Sequence, residues 1–135
     1  MEYTTPKPSR VVKDSLDHIR FVTNNEFRMS NSNRQALKKS VMLAEMHDFQ
    51  IYLVHAPMFD GLYMNVELRR YIQELNVSLK NFTANNERIH LLGLAPVTFT
   101  AAEMENADHL ILNAAERFTK NVADDILDIE RRESN

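Results

Sequence analysis

Two short apolar runs separated by a long helical pattern constrain the fold of this chain more than any other feature. Residues 50–56 (QIYLVHA) and 88–94 (RIHLLGL) are short and apolar, which is typical of strands buried in a parallel sheet. Residues 64–82 between them carry apolar side chains at alternating intervals of four and three, which predicts an amphipathic helix. A strand, a helix and a strand in this order predict parallel pairing through a right-handed crossover. The sequence therefore predicts a small layered α/β domain with a short parallel sheet flanked by helices.

Further helical patterns flank this unit. Residues 34–47 and 112–130 each place apolar side chains on one helical face. Residues 11–29 are compatible with a short helix or with an extended segment. Because two strands are few for a parallel sheet, we expect one of three outcomes: residues 11–29 add a strand, a second copy of the chain completes the sheet, or the chain is part of a larger protein.

The length of 135 residues predicts a single domain with its own core. We place this α/β domain at residues 11–130. The polar residues 1–10, which include two prolines, are expected to form a flexible lead-in. Residues 131–135 are expected to form a flexible tail.

Composition and charge exclude several classes of function. The net charge is −3 and the basic residues are scattered, so neither nucleic acid nor an anionic membrane surface is an expected partner. The chain has no cysteine, which excludes disulfides, thiolate metal sites and a cysteine nucleophile. Its histidines lack metal-binding spacing and its two glycines cannot form a glycine-rich phosphate loop, so we expect no metal and no cofactor. Without an export signal or an apolar run of about 20 residues, we expect no membrane insertion and, by default, a cytoplasmic protein. If the chain is a fragment of an exported protein, the compartment stays open.

His109 is the best candidate for a catalytic residue. It follows the second predicted strand and precedes the last amphipathic helix, and α/β proteins form their sites at the carboxyl ends of strands. Asp108 is adjacent to it and could orient the imidazole, and Glu105 is close enough in sequence to do the same. The alternative is that His109 is a polar residue at a helix terminus without a chemical role.

Two further residues are candidates for substrate binding at the same edge of the sheet. His55 ends the first predicted strand, and Asp60 lies in the loop that follows it. The alternatives are a histidine that is hydrogen-bonded to the backbone at a strand end, and an aspartate that forms a turn with Gly61.

The segment around His109 resembles one sequence block of a known enzyme family. Residues 106–119 (NADHLILNAAERFT) are similar to the D-x-x-H-L-N-x-x-G-A-x-x-F-T block that opens the last helix of SGNH (GDSL-like) hydrolases and their O-acyltransferase relatives. The similarity covers about residues 31–129 and includes IYLVHAP (51–57) and RIHLLGL (88–94) as the two preceding strands. The resemblance implies the C-terminal half of an SGNH or flavodoxin-like α/β fold. It also implies that His109 is the catalytic base and that the substrate is an acylated small molecule or polysaccharide.

The chain also departs from the family pattern. Asn106 occupies the position of the family's aspartate, so Asp108 would have to replace that carboxylate. Ile111 and Ala114 replace an asparagine and a glycine. The family's serine, oxyanion-hole and asparagine blocks would lie in an N-terminal half that has no recognisable counterpart in this sequence.

These observations lead to three hypotheses about function. The first is a truncated or degenerate SGNH hydrolase-like domain that is not catalytic alone and depends on a missing N-terminal half. The second is a non-catalytic interaction domain that forms a homo-oligomer through its open sheet edge. The third is a small serine esterase that uses Ser15 or Ser30 with His109, although Lys13 stands where a tight nucleophile turn usually has glycine. If the chain is active, we expect ester hydrolysis or O-acyl transfer.

Overall fold

Five helices surround two short pairs of parallel strands in the computed structural model, which describes residues 8–133. The helices are α1 (Pro8–Asn24), α2 (Asn31–His47), α3 (Asp60–Tyr63), α4 (Val66–Thr83) and α5 (Leu112–Glu133). The strands are β1 (Ile51–Val54), β2 (Met58–Phe59), β3 (Ile89–Leu92) and β4 (Thr98–Phe99), and one turn of 3₁₀ helix covers Ala101–Glu103. The structure confirms the predicted α/β fold with a short parallel sheet flanked by helices.

The two strands predicted from the sequence pair with each other. β1 and β3 are parallel, with Ile51 opposite Ile89 and Val54 opposite Leu92. The second pair, β2 and β4, is also parallel but only two residues long. The sequence does not predict this pair, because a strand of two residues has no alternation to detect. The outer edges of β1 and β3 have no strand partner within residues 8–133, so completion of the sheet by a second copy stays a prediction.

Residues 11–29 contribute a helix rather than a strand. α1 covers residues 8–24, and its buried side chains Val11, Ser15 and Val22 all lie on one helical face. Proline at the first position suits the first helical turn, because its fixed φ is helical and its missing N–H has no partner there anyway. Tertiary burial of this face therefore decides between the two conformations that the sequence left open.

The expected flexible ends lie partly outside the described residues. Residues 1–7 of the expected lead-in are outside them, and residues 8–10 form the first turn of α1. Residues 131–133 of the expected tail continue α5, and residues 134–135 lie outside the described range. None of the helices between residues 8 and 133 combines the length and the apolar character that a membrane-spanning helix requires.

The core consists of two clusters of buried apolar side chains. Each cluster joins α1 to the segment that precedes or begins α5, and the partly buried ring of Phe59 packs against both. This packing holds the segment around His109 against α1, because Met104 and Ala107 of that segment are both in the core. The first cluster contains Val22, Leu62, Leu68, Ile72 and Ala107, and the second contains Val11, Phe99, Met104 and Ala114.

β1 is less buried than its apolar sequence predicts. Its first three side chains are half-buried and Val54 is exposed, whereas Ile89 and Leu92 of β3 are buried. The expectation of a buried strand is therefore wrong for β1. Strand side chains point to the two faces of a sheet, and α4 and α5 pack mainly against β3, so the side chains of β1 are less covered.

Candidate active site around His109

The loop that carries His109 is held in place by its backbone and by a buried alanine. Met104 and Leu110 form an antiparallel bridge across the loop. The amide of Glu105 donates a hydrogen bond of 2.8 Å to the carbonyl of His109. Within the loop, Ala107 is fully buried in the first core cluster. The loop therefore presents His109 from a fixed backbone just before α5.

Two oxygen acceptors face the Nδ1 atom of His109. Asn106 Oδ1 and Asp108 Oδ1 each lie 2.8 Å from Nδ1. Asn106 Oδ1 also accepts a hydrogen bond of 3.1 Å from the backbone amide of Asp108, which identifies it as the oxygen of that side-chain amide. Because both partners of Nδ1 are acceptors, the proton of the neutral imidazole lies on Nδ1 and the lone pair lies on Nε2. The His109 side chain is 68% exposed, so the ring can be reached from solvent.

This geometry is that of an oriented general base. A carboxylate on Nδ1 holds an imidazole in the tautomer whose Nε2 can accept a proton. The structure brings together the predicted pair of His109 and Asp108, and Asn106 lies beside them. Within residues 8–133, His109 makes no hydrogen bond to a serine hydroxyl.

His18 of α1 extends the cluster, a role that the sequence analysis missed. Its Nε2 lies 3.5 Å from Asp108 Oδ2, so the carboxylate of Asp108 lies between two imidazoles. The spacing along α1 could have revealed it, because His18 falls on the same helical face as the buried Val11 and Val22. A polar ring on a face that packs against the core indicates a polar partner there.

His55 is held by a side-chain network rather than by the backbone. Its Nε2 lies 2.8 Å from Asn76 Oδ1, and Asn76 Nδ2 donates a hydrogen bond of 2.7 Å to the carbonyl of Leu94. A carbonyl only accepts, so the nitrogen of the Asn76 amide must face Leu94 and its oxygen must face His55. The proton of a neutral His55 therefore lies on Nε2. Asn76 is buried in the apolar stripe of α4, and a polar residue in such a stripe is the signal that the sequence analysis overlooked.

The remaining candidates have structural partners. Asp60 is exposed at the start of α3, where its Oδ1 accepts from the next backbone amide at 2.6 Å, the turn that its alternative interpretation predicts. The buried hydroxyl of Ser15 donates to the carbonyl of Val11 at 2.7 Å. Ser30 is the N-cap of α2 and accepts from the amide of Asn33 at 3.1 Å. Within residues 8–133 neither hydroxyl is hydrogen-bonded to an imidazole, so neither has the adjacent base that activates a serine.

An apolar groove with a volume of about 480 Å³ opens beside this cluster. It lies where α1 and α4 flank the segments that follow β1 and β3. His18 and His55 both line it, and His18 also contacts Asp108, so the groove and the His109 cluster share one residue. Its apolar lining includes Phe21, Val22, Met58, Leu68, Tyr71 and Ile72.

Glu103 connects the start of the His109 loop to α5. Its carboxylate accepts hydrogen bonds from the backbone amide (3.0 Å) and the hydroxyl (2.8 Å) of Thr100, which form a capping box, and it pairs with Arg117. The hydrogen bond from the Thr100 amide, followed by those from the Thr100 hydroxyl and Arg117, lowers the pKa of Glu103 below its ordinary value.

We expect Glu103→Gln to destabilise the protein at neutral pH and to have little effect in acid. A carboxyl group whose pKa is lowered by folding stabilises the protein at pH values above its unfolded-state pKa, and this contribution is lost as the pH falls through the folded-state pKa. Urea unfolding of both proteins at neutral pH and at about pH 3 measures the change. Glu116→Gln, at an exposed position of α5, is the control. If Glu103→Gln lowers the free energy of unfolding by the same amount at both pH values, this role of Glu103 is contradicted.

No three histidine, aspartate or glutamate side chains in the part of the chain that the structure describes are placed to bind one metal ion. No protein-family model, curated protein or solved structure matches the chain.

Proposed function

We propose that this chain is an SGNH hydrolase-like domain that supplies the general base of an ester hydrolase or O-acyltransferase but not its serine nucleophile. The observation that carries the proposal is the contact of His109 Nδ1 with Asp108 and Asn106, each at 2.8 Å, which leaves Nε2 as the basic atom. The resemblance of residues 106–119 to the family's histidine block supports the same role.

The proposed chemistry is divided between this chain and a serine-bearing segment. Nε2 of His109 takes the proton of the serine hydroxyl as the serine oxygen attacks the acyl carbonyl, and it returns the proton to the alcohol that leaves. Asp108 and Asn106 hold the ring in the reactive tautomer, and Asp108 stabilises the imidazolium that forms. His18 acts as a positioning residue, because it contacts the other oxygen of the Asp108 carboxylate.

The serine would come from a longer polypeptide or from a second protein. Within residues 8–133, the hydroxyl of Ser15 is engaged by a helix carbonyl and that of Ser30 by a helix N-terminus. The 135-residue chain is therefore expected to be inactive alone, and its acyl substrate is expected to bind only when the serine segment is present.

A fluorophosphonate probe, which labels activated serines, tests this division. We expect no labelled serine in the 135-residue chain, and one labelled serine outside it when the chain is joined to or mixed with the serine segment. Peptide mapping by mass spectrometry identifies the labelled residue. Labelling of Ser15 or Ser30 in the 135-residue chain would replace the proposal with a complete small esterase. If no serine is labelled in a longer polypeptide that contains this sequence, nor in a serine segment mixed with the chain, the proposal is wrong.

A further inference from the structure

The groove beside His18 has the properties of a small-molecule site in its own right. Its volume of about 480 Å³ falls within the range of ligand pockets in proteins, roughly 300–1,000 Å³. It lies beyond the carboxyl ends of the parallel strands β1 and β3, where α/β proteins bind their ligands. Its lining is mostly apolar with a few polar groups, which is the composition of ligand sites.

His55 lines the groove, and one of its ring nitrogens has no hydrogen-bond partner within residues 8–133. Asn76 occupies Nε2 of His55, so the neutral ring offers Nδ1 as a hydrogen-bond acceptor. No donor to this nitrogen is found among residues 8–133. His55 is half-buried, and a partly buried acceptor gains a hydrogen bond when a ligand brings a donor.

The charges around the groove disfavour an anionic ligand. No lysine or arginine between residues 8 and 133 lines it, and the charged side chain of Asp17 at its edge is already paired with Arg20 at 3.3 Å. A carboxylate or phosphate would lose its hydration among these apolar walls without meeting an opposite charge. An uncharged ligand avoids this penalty. The rings of Phe21 and Tyr71, in edge-to-face contact with centroids 6.3 Å apart, offer a surface that suits an apolar or aromatic body.

We propose that this groove binds an uncharged, apolar alcohol or phenol whose hydroxyl donates to Nδ1 of His55. The apolar body of the ligand contacts Val22, Leu68 and Ile72, which already belong to the first core cluster. Binding in this groove does not require His109 to act as a base. The binding proposal can therefore be tested independently of the proposed function.

Three matched ligands test separately whether binding needs the hydroxyl donor and whether it needs an uncharged ligand. We expect 4-butylphenol to bind the 135-residue protein about fivefold more tightly than 4-butylanisole, which differs by the loss of the donor. We expect 4-butylbenzoate, which is anionic, to bind most weakly. NMR titration of methyl groups gives the affinities, and the ¹⁵N resonance of His55 Nδ1 should move with the phenol and not with the anisole.

Two tryptophan substitutions locate the binding site. Ala56 is exposed and lines the groove, so Ala56→Trp should fill it and weaken 4-butylphenol binding about tenfold or more. Ala123→Trp, on an exposed position of α5 outside the groove, should leave the affinity unchanged. Equal affinities for the phenol and the anisole with a stationary His55 resonance would overturn the proposal, as would full affinity in a folded Ala56→Trp protein. If Ala56→Trp does not fold, the comparison of phenol and anisole on the wild-type protein decides whether the proposal holds.

Discussion

Replacing His109 by alanine should lower kcat/KM for p-nitrophenyl acetate by about 10²- to 10⁴-fold in a polypeptide that joins this chain to its serine segment. A positioned general base contributes a factor of this size to a proton transfer. The loss should be large because Nε2 of His109 is the basic atom that the contacts on Nδ1 leave available. His47→Ala is the matched control, since His47 is an exposed histidine at the end of α2 and outside the cluster.

Asp108→Asn distinguishes an oriented base from an exposed imidazole in the same assay. The amide can turn its nitrogen toward Nδ1 of His109 and so favour the tautomer with the proton on Nε2, which cannot accept the proton of a serine. We expect kcat to fall while KM changes little, because substrate binding does not use this contact. If His109→Ala retains the activity of His47→Ala, the assignment of His109 as the base is wrong.

Replacing Met104 by alanine should reduce the free energy of unfolding by about 2–5 kcal/mol, the range for truncating a large buried side chain to alanine. Met104 is fully buried in the second core cluster, where it packs with Phe99 and Ala114. The shortened side chain leaves a cavity and loses its contacts there. Because the backbone of Met104 forms the bridge with Leu110, the same change should loosen the loop that carries His109.

Met46→Ala is the matched control for this prediction. Met46 is 71% exposed on α2, so its truncation should change the free energy of unfolding by no more than about 0.5 kcal/mol. Urea unfolding at neutral pH measures both variants against the wild type. Equal losses for the two methionines would contradict the burial that places Met104 in the core.

The parts of the fold that repeat over many residues could be predicted from the sequence. The apolar stripe of α4 extends over five turns, and the runs that form β1 and β3 are bounded by turn residues, so local pattern suffices for them. β2 and β4 are too short to leave a pattern, and they form only because residues far apart in the chain meet. α1 is ambiguous in sequence because its apolar residues include adjacent pairs, and its burial against the core selects the helix.

The candidate site likewise has one part that the sequence predicts and another that it does not. His109 and Asp108 are neighbours in sequence, so their contact could be anticipated from the chain alone. The contact of His18 with Asp108 joins the first helix to the loop before the last one, and no local spacing predicts which distant residue a histidine will meet. Asn76 is a similar case, because its partners His55 and Leu94 become close only when β1 and β3 pair beside α4.

The connection between α1 and the His109 loop has a consequence for how the protein is made. During synthesis on the ribosome, α1 emerges long before the residues that complete its packing. The side chains of Val11 and Val22 can pack against Met104 and Ala107 only after these residues have been translated. Both belong to the last part of the domain to be translated. The contact of His18 with Asp108 can therefore form only after the loop before α5 has been translated, late in the synthesis of the domain.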